Sequence, residues 1–424
     1  MKWPSATLES IKAEARYSLV GGPFGSELTT RDYAEDGVPV IRGSNLPDDR
    51  CFDGSEFVFV REEKAEQLFA NNAHPGDVIF TQRGTLGQVG LIPVEAPFSR
   101  YLISQSQMKL SVNPTKADAK FVYYYFRHPD TVQNIKNHAI TSGVPHINLG
   151  LLRALKIPLP PLGAQREIVS ILSAYDDLIE NNRRRMALLE KAARLLYEEW
   201  FVRLRFPGHE RAEIVTSSLG RIARSWEIPK LGDITTKIGS GATPRGGEAS
   251  YETEGTVLIR SQNVYNDRFE DDGLAHINDK QADELESVSV ESRDILLNIT
   301  GASVARCCMV PRRHLPARVN QHVMIVRVDP ALADPYFVHS AINSDGRKRQ
   351  LLSYARAGGT REALTKDHVA NFQIVIPDTD LLREFGRIAG EIHQQLDVLA
   401  EQDVALRNAR DMLLPRLMNG QIAV

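Results

Sequence analysis

The 424-residue chain is 42% hydrophobic and 25% charged, with 29 Gly and 22 Pro, which excludes a disordered or collagen-like polymer. Its length exceeds one ordinary core, so two domains are expected. The net charge of −3 is evenly spread, with 17 basic and 17 acidic side chains in residues 1–161, so no basic block announces nucleic acid through bulk charge. Cys51, Cys307 and Cys308 make no disulfide framework and no zinc-type CxxC or CxxH spacing. No apolar run approaches the roughly 18 residues of a membrane span. Met1–Ala6 leads into a charged segment, not an apolar leader. A cytoplasmic, metal-free protein is the expectation.

In chain order, short β-branched runs at Val38–Arg42, Asp77–Thr81 and Gln107–Val112 read as strands. Asp118 caps a helix through Phe121–Phe126, and Leu155–Pro160 forms a last short strand. Apolar residues then fall alternately four and three apart from about Ala164 to Val202: Ile168, Leu172, Tyr175, Ile179, Asn182, Met186, Leu189, Ala193, Leu196 and Trp200. Strands follow at Val257–Arg260, Asp294–Ile299 and Val323–Val328, then a helix from Asp334-Pro335 through Ile342 and a strand at Phe372–Pro377. From about Leu381 to Met418 a second 4–3 row runs through Phe385, Ala389, Ile392, Leu396, Leu399, Asp403, Leu406, Arg410, Leu413 and Leu417.

The second half of this order repeats the first. Gly37–Leu46 aligns with Gly255–Val264 at an offset of 218, Asp77–Phe80 with Asp294–Leu297 at 217, Ser104-Gln105 with Asn320-Gln321 at 216, and Leu155–Pro160 with Phe372–Pro377 at 217. Four ordered matches at a near-constant offset identify a tandem duplication. The 3.5-residue period predicts that the two long helices, roughly 55–60 Å each, pair as a coiled coil. Antiparallel pairing needs no long return connection. The expected fold class is therefore α+β, with two similar α/β heads separated by two long antiparallel helices and pseudo-two-fold symmetric. The polar row members Asn182, Asp403 and Arg410 are expected to set register.

Each head presents polar loops between strands. In the first these carry Gly25, Ser26, Arg42, Ser44, Asn45, Arg83, Thr85, Gln105, Ser142 and His146. In the second they carry Ser240, Thr243, Arg245, Arg260, Gln262, Asn263, Ser303, Gln321, Gly358, Thr360 and Arg361. Arg, Asn and Gln can pair bidentately with base edges, while Gly, Ser and Thr suit phosphate contact. Such residues are common in loops, but their recurrence at equivalent places in both heads points to DNA binding. Catalytic readings do poorly: no GxxxxGK[ST], HExxH or GxSxG occurs. Asp334-Pro335-Tyr336-Phe337 looks towards the Asp-Pro-Pro-Tyr site of amino-methyltransferases. It lacks the second proline, and the repeat aligns it with the helix start at Asp118, so it reads as a cap. Arg183-Arg184-Arg185 reads equally well as ion-paired helix surface. The rival functions are a tandem protein-binding scaffold and a self-sufficient DNA enzyme.

Ile157-Pro158-Leu159-Pro160-Pro161-Leu162, followed by Gln165-Arg166-Glu167-Ile168 and a helix ending Leu196-Tyr197-Glu198-Glu199-Trp200-Phe201, resembles the central region of type I restriction-modification specificity subunits. Gly22–Leu28, Ile41–Leu46 and Pro75–Ile79 resemble their target recognition domains. The second junction departs, with Ile376-Pro377-Asp378-Thr379 and with Leu382 in place of the glutamine. The resemblance implies target recognition domains at 1–161 and 209–378, and conserved helices at 162–208 and 379–424. It implies a non-catalytic DNA reader that binds a bipartite target, one half-site per head, with the unread spacer set by the helices. Two methyltransferase subunits would dock on the helices through Pro160, Pro161, Gln165, Ile168, Tyr197, Trp200 and Phe201. This chain would hold no cofactor: S-adenosylmethionine would belong to the methyltransferase, and ATP and magnesium to restriction/translocase subunits.

Overall fold

The computed structural model describes residues 3–140, 144–357 and 362–422. Its contacts divide the chain into one unit of Met1–Asn181 with Asp403–Val424, and a second of Asn182–Gln402.

In the first unit, Leu19–Gly21, Gln107–Leu110, Val78–Thr81 and Val89–Leu91 form an antiparallel sheet in that order. A second sheet orders Tyr33–Ala34, Val58–Val60, Val38–Ile41, Tyr101–Ile103 and Asn72–Ala73. Its central pair, Val38–Ile41 and Tyr101–Ile103, runs parallel. Val78–Thr81 and Val38–Ile41 are buried at every residue, which explains why they read as continuous apolar runs and not as alternation. Helix Ala119–Arg127 follows, with the Asp118 carboxylate accepting from the N–H groups of Lys120 and Phe121.

The second unit has the same plan. Thr235–Ser240, Val323–Val328, Ile295–Asn298 and Cys307–Met309 form its antiparallel sheet. Ala275–Ile277, Thr256–Ile259, Ala317–Val319 and Ser289–Val290 form its other sheet, where Thr256–Ile259 and Ala317–Val319 are the parallel pair. Asp334 caps helix Pro335–Asn343 by accepting from the Phe337 N–H at 3.0 Å, with Pro335 in the first turn. The repetition in sequence is thus a repetition of strand order.

One further element is repeated, though at a different offset in the sequence. Ser5–Thr7 pairs antiparallel with Lys156–Pro158. In the second unit Glu227 and Lys230 bridge to Ile376 and Gln373. Leu8 N–H donates to Leu155 C=O at 3.0 Å, as Leu231 does to Phe372 at 2.8 Å. Leu8 and Leu231 stand 223 residues apart, outside the 216–218 offset of the other repeated elements.

The long helices span Leu162–Tyr197, continued by a wide turn at Glu198–Val202, and Thr379–Met418. All twenty residues of the two 4–3 rows are buried or half-buried. In the first unit Ile168 and Leu172 share a core with Leu414, Leu417 and Met418, and Asp176 meets Arg410. Lower numbers on one helix face higher numbers on the other, so the pairing is antiparallel. In the second unit Tyr197, Phe385 and Ala389 join Phe337 and Phe372 in one core.

Each long helix contributes residues to both units. Their row residues complete the cores of the units, and the contact boundaries fall inside the helices, after Asn181 and Gln402. The departure at the second junction has a packing cause. Gln165 is fully buried, accepting from the Asp118 N–H and donating to the Pro160 carbonyl, both at 2.8 Å. In the second unit Leu382 lies in the core, and Gly386 brings the helix so close that a Cβ would sit 2.4 Å from the Asp334 carboxylate. Van der Waals approach replaces a glutamine bridge.

Arg410, 6% exposed at its side chain, donates to Asp176 Oδ1 at 2.7 Å, and the Tyr124 hydroxyl donates to Asp176 Oδ2 at 2.6 Å. Removing one partner of such a pair leaves a charge without compensation. Arg410→Ala is expected to destabilise the first unit by about 3 kcal/mol in denaturant unfolding. A joint Asp176→Asn, Arg410→Met variant should recover part of that loss; equal losses in both would show that the pair is not coupled.

Candidate nucleic-acid interface

The polar loops of each unit are tied to one another at their roots by backbone hydrogen bonds. In the first unit Gly22 N–H donates to Gln107 C=O (2.8 Å), Ser104 to Ile41 (3.0 Å), Gln82 to Ser106 (2.7 Å) and Ile147 to Gln82 (3.0 Å). In the second, Gly241 donates to Val323 (3.0 Å), Asn320 to Ile259 (3.0 Å), Ile299 to His322 (3.0 Å) and Leu364 to Ile299 (2.8 Å). Each bond of one set is the counterpart of a bond in the other. Bridges between Arg83 and His146, and between Thr300 and Ala363, complete the pattern. Five loops far apart in sequence thus converge on one rim in each unit.

Two glycines make the convergence possible. A Cβ on Gly22 would lie 2.1 Å from the Ser104 carbonyl oxygen, and one on Gly241 would lie 1.9 Å from that of Val319. A glutamine braces each first loop from the same place. Gln105 Nε2 donates to the carbonyls of Gly25 and, at 2.8 Å, Leu28. Gln321 Oε1 accepts from the Thr243 hydroxyl.

Above this frame, Gly25, Ser26, Ser44, Arg83, Thr85 and Gln105 are exposed on the first unit, with Arg42 and His146 half-buried. On the second, Ser240, Thr243, Arg245, Gln262 and Gln321 are exposed and Ser303 is half-buried. Ser142, Gly358, Thr360 and Arg361 lie outside the described residues. Arg260 is already engaged, lying 5.3 Å from the Tyr251 ring centroid and donating to the Gly273 carbonyl at 2.6 Å. Gln262 donates to the same carbonyl at 3.1 Å.

Asn45 and Asn263 are corrections. Both are buried. Asn45 accepts from the Arg42 N–H (2.9 Å) and donates to the carbonyls of Asp53 (3.0 Å) and Glu56 (2.9 Å). Asn263 accepts from Arg260 (3.0 Å) and donates to Glu270 (3.0 Å) and Asp272 (3.2 Å). With both ends of the amide used, neither can read a base. They latch the loops instead, a role that sequence spacing does not distinguish from reading.

The residues expected at a partner surface divide similarly. Pro160, Gln165, Ile168 and Tyr197 are buried within their own units and offer no surface: Ile168 and Tyr197 belong to the two cores, and Gln165 donates to the Pro160 carbonyl. Pro161 is exposed. Trp200 and Phe201 are half-buried, and Phe201 packs edge-on against Phe337 and Phe385 at centroid distances of 4.9 and 5.2 Å. Apolar side chains that do reach solvent on the first long helix include Leu178, Leu188 and Leu195.

The second unit also holds a cavity of about 860 Å³, lined in part by Glu190, Arg194, Asp267, His339, Asn343 and His393. Asn343 Nδ2 donates to Asp267 Oδ1 at 2.8 Å and to the Cys307 carbonyl at 2.9 Å. Burial raises the Asp267 and Glu190 carboxyls and lowers His339 to about 4 and His393 to about 3. Both imidazoles are therefore neutral near pH 7, and burial pushes the Cys307 thiol up to about 12, away from thiolate chemistry. Among the described residues no group of three or more His, Cys, Asp or Glu is placed to hold a metal ion. Among them, too, no helix is long and apolar enough to cross a membrane.

A sequence profile of the type I restriction modification DNA specificity domain matches residues 26–191. The type I restriction enzyme MjaIX specificity subunit of Methanocaldococcus jannaschii is 24% identical over 355 residues, covering 82% of this chain and 78% of its own. The putative MjaX specificity subunit of the same organism is 22% identical over 393 residues, covering 92% and 88%. Residues 26–191 thus resemble a type I restriction-modification DNA specificity domain, and most of the chain is similar to type I specificity subunits. Its fold agrees with that of the crystal structure of a type I S subunit from M. genitalium, at a TM-score of 0.58 and 17% identity over 98% of this chain and 96% of the other. The two tied rims are the candidate DNA-reading surfaces of this chain.

Because the latch amides are buried with their hydrogen bonds made, Asn45→Ala and Asn263→Ala should each cost about 2–3 kcal/mol of unfolding free energy in urea titration. Ser44→Ala, on the exposed rim, should stay within about 0.5 kcal/mol. Unchanged stability in the asparagine variants, with DNA binding lost, would return both residues to the reading surface.

Proposed function

We propose that each rim reads one half of a bipartite DNA target and that the paired helices set the unread spacer between the halves. The observation that carries this reading is one backbone frame built twice under different side chains. Arg83, His146, Gly25 and Ser26 in the first unit answer to Thr300, Ala363, Pro244 and Arg245 in the second, so the two half-sites differ in sequence. Exposed Arg and Gln side chains suit base edges, and exposed Ser, Thr and Gly suit phosphates.

The chain itself is non-catalytic in this reading and holds no cofactor. Methyltransferase subunits, two per complex, bring S-adenosylmethionine and methylate adenine N6 after flipping the base from the stack. Restriction/translocase subunits, using ATP and magnesium, cut unmodified DNA. These partners place the assembly in the cytoplasm. They also contribute phosphate contacts, which reconciles specific binding with a chain of formal charge −3.

Co-expression with the cognate methyltransferase and genome-wide mapping of methylated adenines tests the proposal. A split motif is expected, and exchanging residues 18–158 for those of another specificity subunit should change one half only. Inserting four residues into both long helices, about 6 Å of helix, should widen the gap by one or two base pairs. Changes in both halves on head exchange, or an unaltered gap on insertion, would contradict independent reading and the helical ruler respectively.

A further inference from the structure

The first rim carries a group for which base-edge hydrogen bonding has no use. Phe24 is 87% exposed, and it stands at the tip of the loop that follows strand Leu19–Gly21. The tip is held from several sides. Glu27 N–H donates to the Phe24 carbonyl at 3.1 Å, and Phe24 N–H donates to Glu27 Oε2 at 2.8 Å. Gly25 takes φ +55°, a conformation open to glycine. Pro23 is buried just before the tip, and Gln105 grips the Gly25 and Leu28 carbonyls just after it. An aromatic ring is thus presented to solvent on a fixed stalk, beside exposed Ser26 and Gln105.

The second unit builds the same stalk, with Gly241 in the place of Gly22 and Gln321 in the place of Gln105, but presents Thr243 and Arg245. The difference between the tips is therefore one of chemistry, apolar and flat against polar and cationic.

We propose that Phe24 is a stacking wedge that enters a base step of the first half-site, so that this half is selected partly by how easily its step unstacks. The second half, facing Thr243 and Arg245, is read without a wedge. Apolar side chains placed between base steps unstack them, and pyrimidine–purine steps yield most readily. The proposal rests on the DNA-reading function above and adds to it a residue and a mode of selection.

The test uses the complete chain assembled with its methyltransferase, and duplexes bearing the motif mapped for the wild type, either intact or nicked at one phosphodiester at a time. A nick leaves the bases unchanged but lowers the cost of opening a step. The wild type should bind more tightly when one step of the first half-site is nicked. Phe24→Ala should lose that preference and bind the intact target roughly 5- to 150-fold more weakly, the range of base–aromatic stacking. Phe24→Trp should restore both properties, and the melting temperature should stay constant because the ring packs on little of the protein. Unaltered affinity in Phe24→Ala, a nick preference that survives it, or loss of methyltransferase association would overturn the wedge. No sequence-dependent binding by the wild-type assembly would overturn the DNA reading itself, and the wedge with it.

Discussion

The rims depend on backbone hydrogen bonds between loop roots. Several roots leave strands buried at every residue, such as Val38–Ile41, Val78–Thr81 and Tyr101–Ile103, and a buried amide without a partner costs as much as a lost hydrogen bond. In both units the roots meet this demand with one another: Gly22 with Gln107, Ser104 with Ile41, Gln82 with Ser106 and Ile147 with Gln82, and their four counterparts. Because these ties use main-chain groups, they constrain few side chains. The exceptions are Gly22 and Gly241, where no Cβ fits, the latches Asn45 and Asn263, and the braces Gln105 and Gln321. The other exposed side chains above the roots are free to change without disturbing the frame, which suits one fold to the reading of different sequences.

Much of this organisation was legible in the sequence. The duplication appears at a near-constant offset, and all twenty residues of the 4–3 rows prove buried or half-buried. Strands such as Val323–Val328 match their expected bounds because continuous apolar runs between breakers leave little freedom. The opening strand at Ser5–Thr7 was not legible: its counterpart is shifted by extra residues, and its partner lies about 150 positions away. Nor were the roles of Asn45 and Asn263. An asparagine in a polar loop offers the same donor and acceptor to a base or to a neighbouring carbonyl, and only the fold decides which is nearer. Gln165 and Ile168 carried the family resemblance, yet both are buried inside the unit. Their pattern reflects packing at the root of the long helix.

The two units share a frame and diverge in detail at places with physical consequences. A glutamine bridge joins helix to helix in one, and a glycine contact does so in the other. One tip carries an aromatic ring and the other a hydroxyl and a guanidinium. A duplicated chain that kept its main-chain ties while its exposed groups drifted would arrive at this state, with two rims of common build and unlike chemistry. The antiparallel helices add their row residues to both cores, so each unit is completed by segments remote in sequence.

Amide hydrogen exchange on the complete chain tests the tied frame most directly. The N–H groups of Gly22, Gln82, Ser104 and Ile147 should exchange slowly, as should those of Gly241, Ile299, Asn320 and Leu364, while exposed positions such as Ser26 and Arg245 exchange fast. Rapid exchange at the root amides of either unit would contradict a pre-formed rim there.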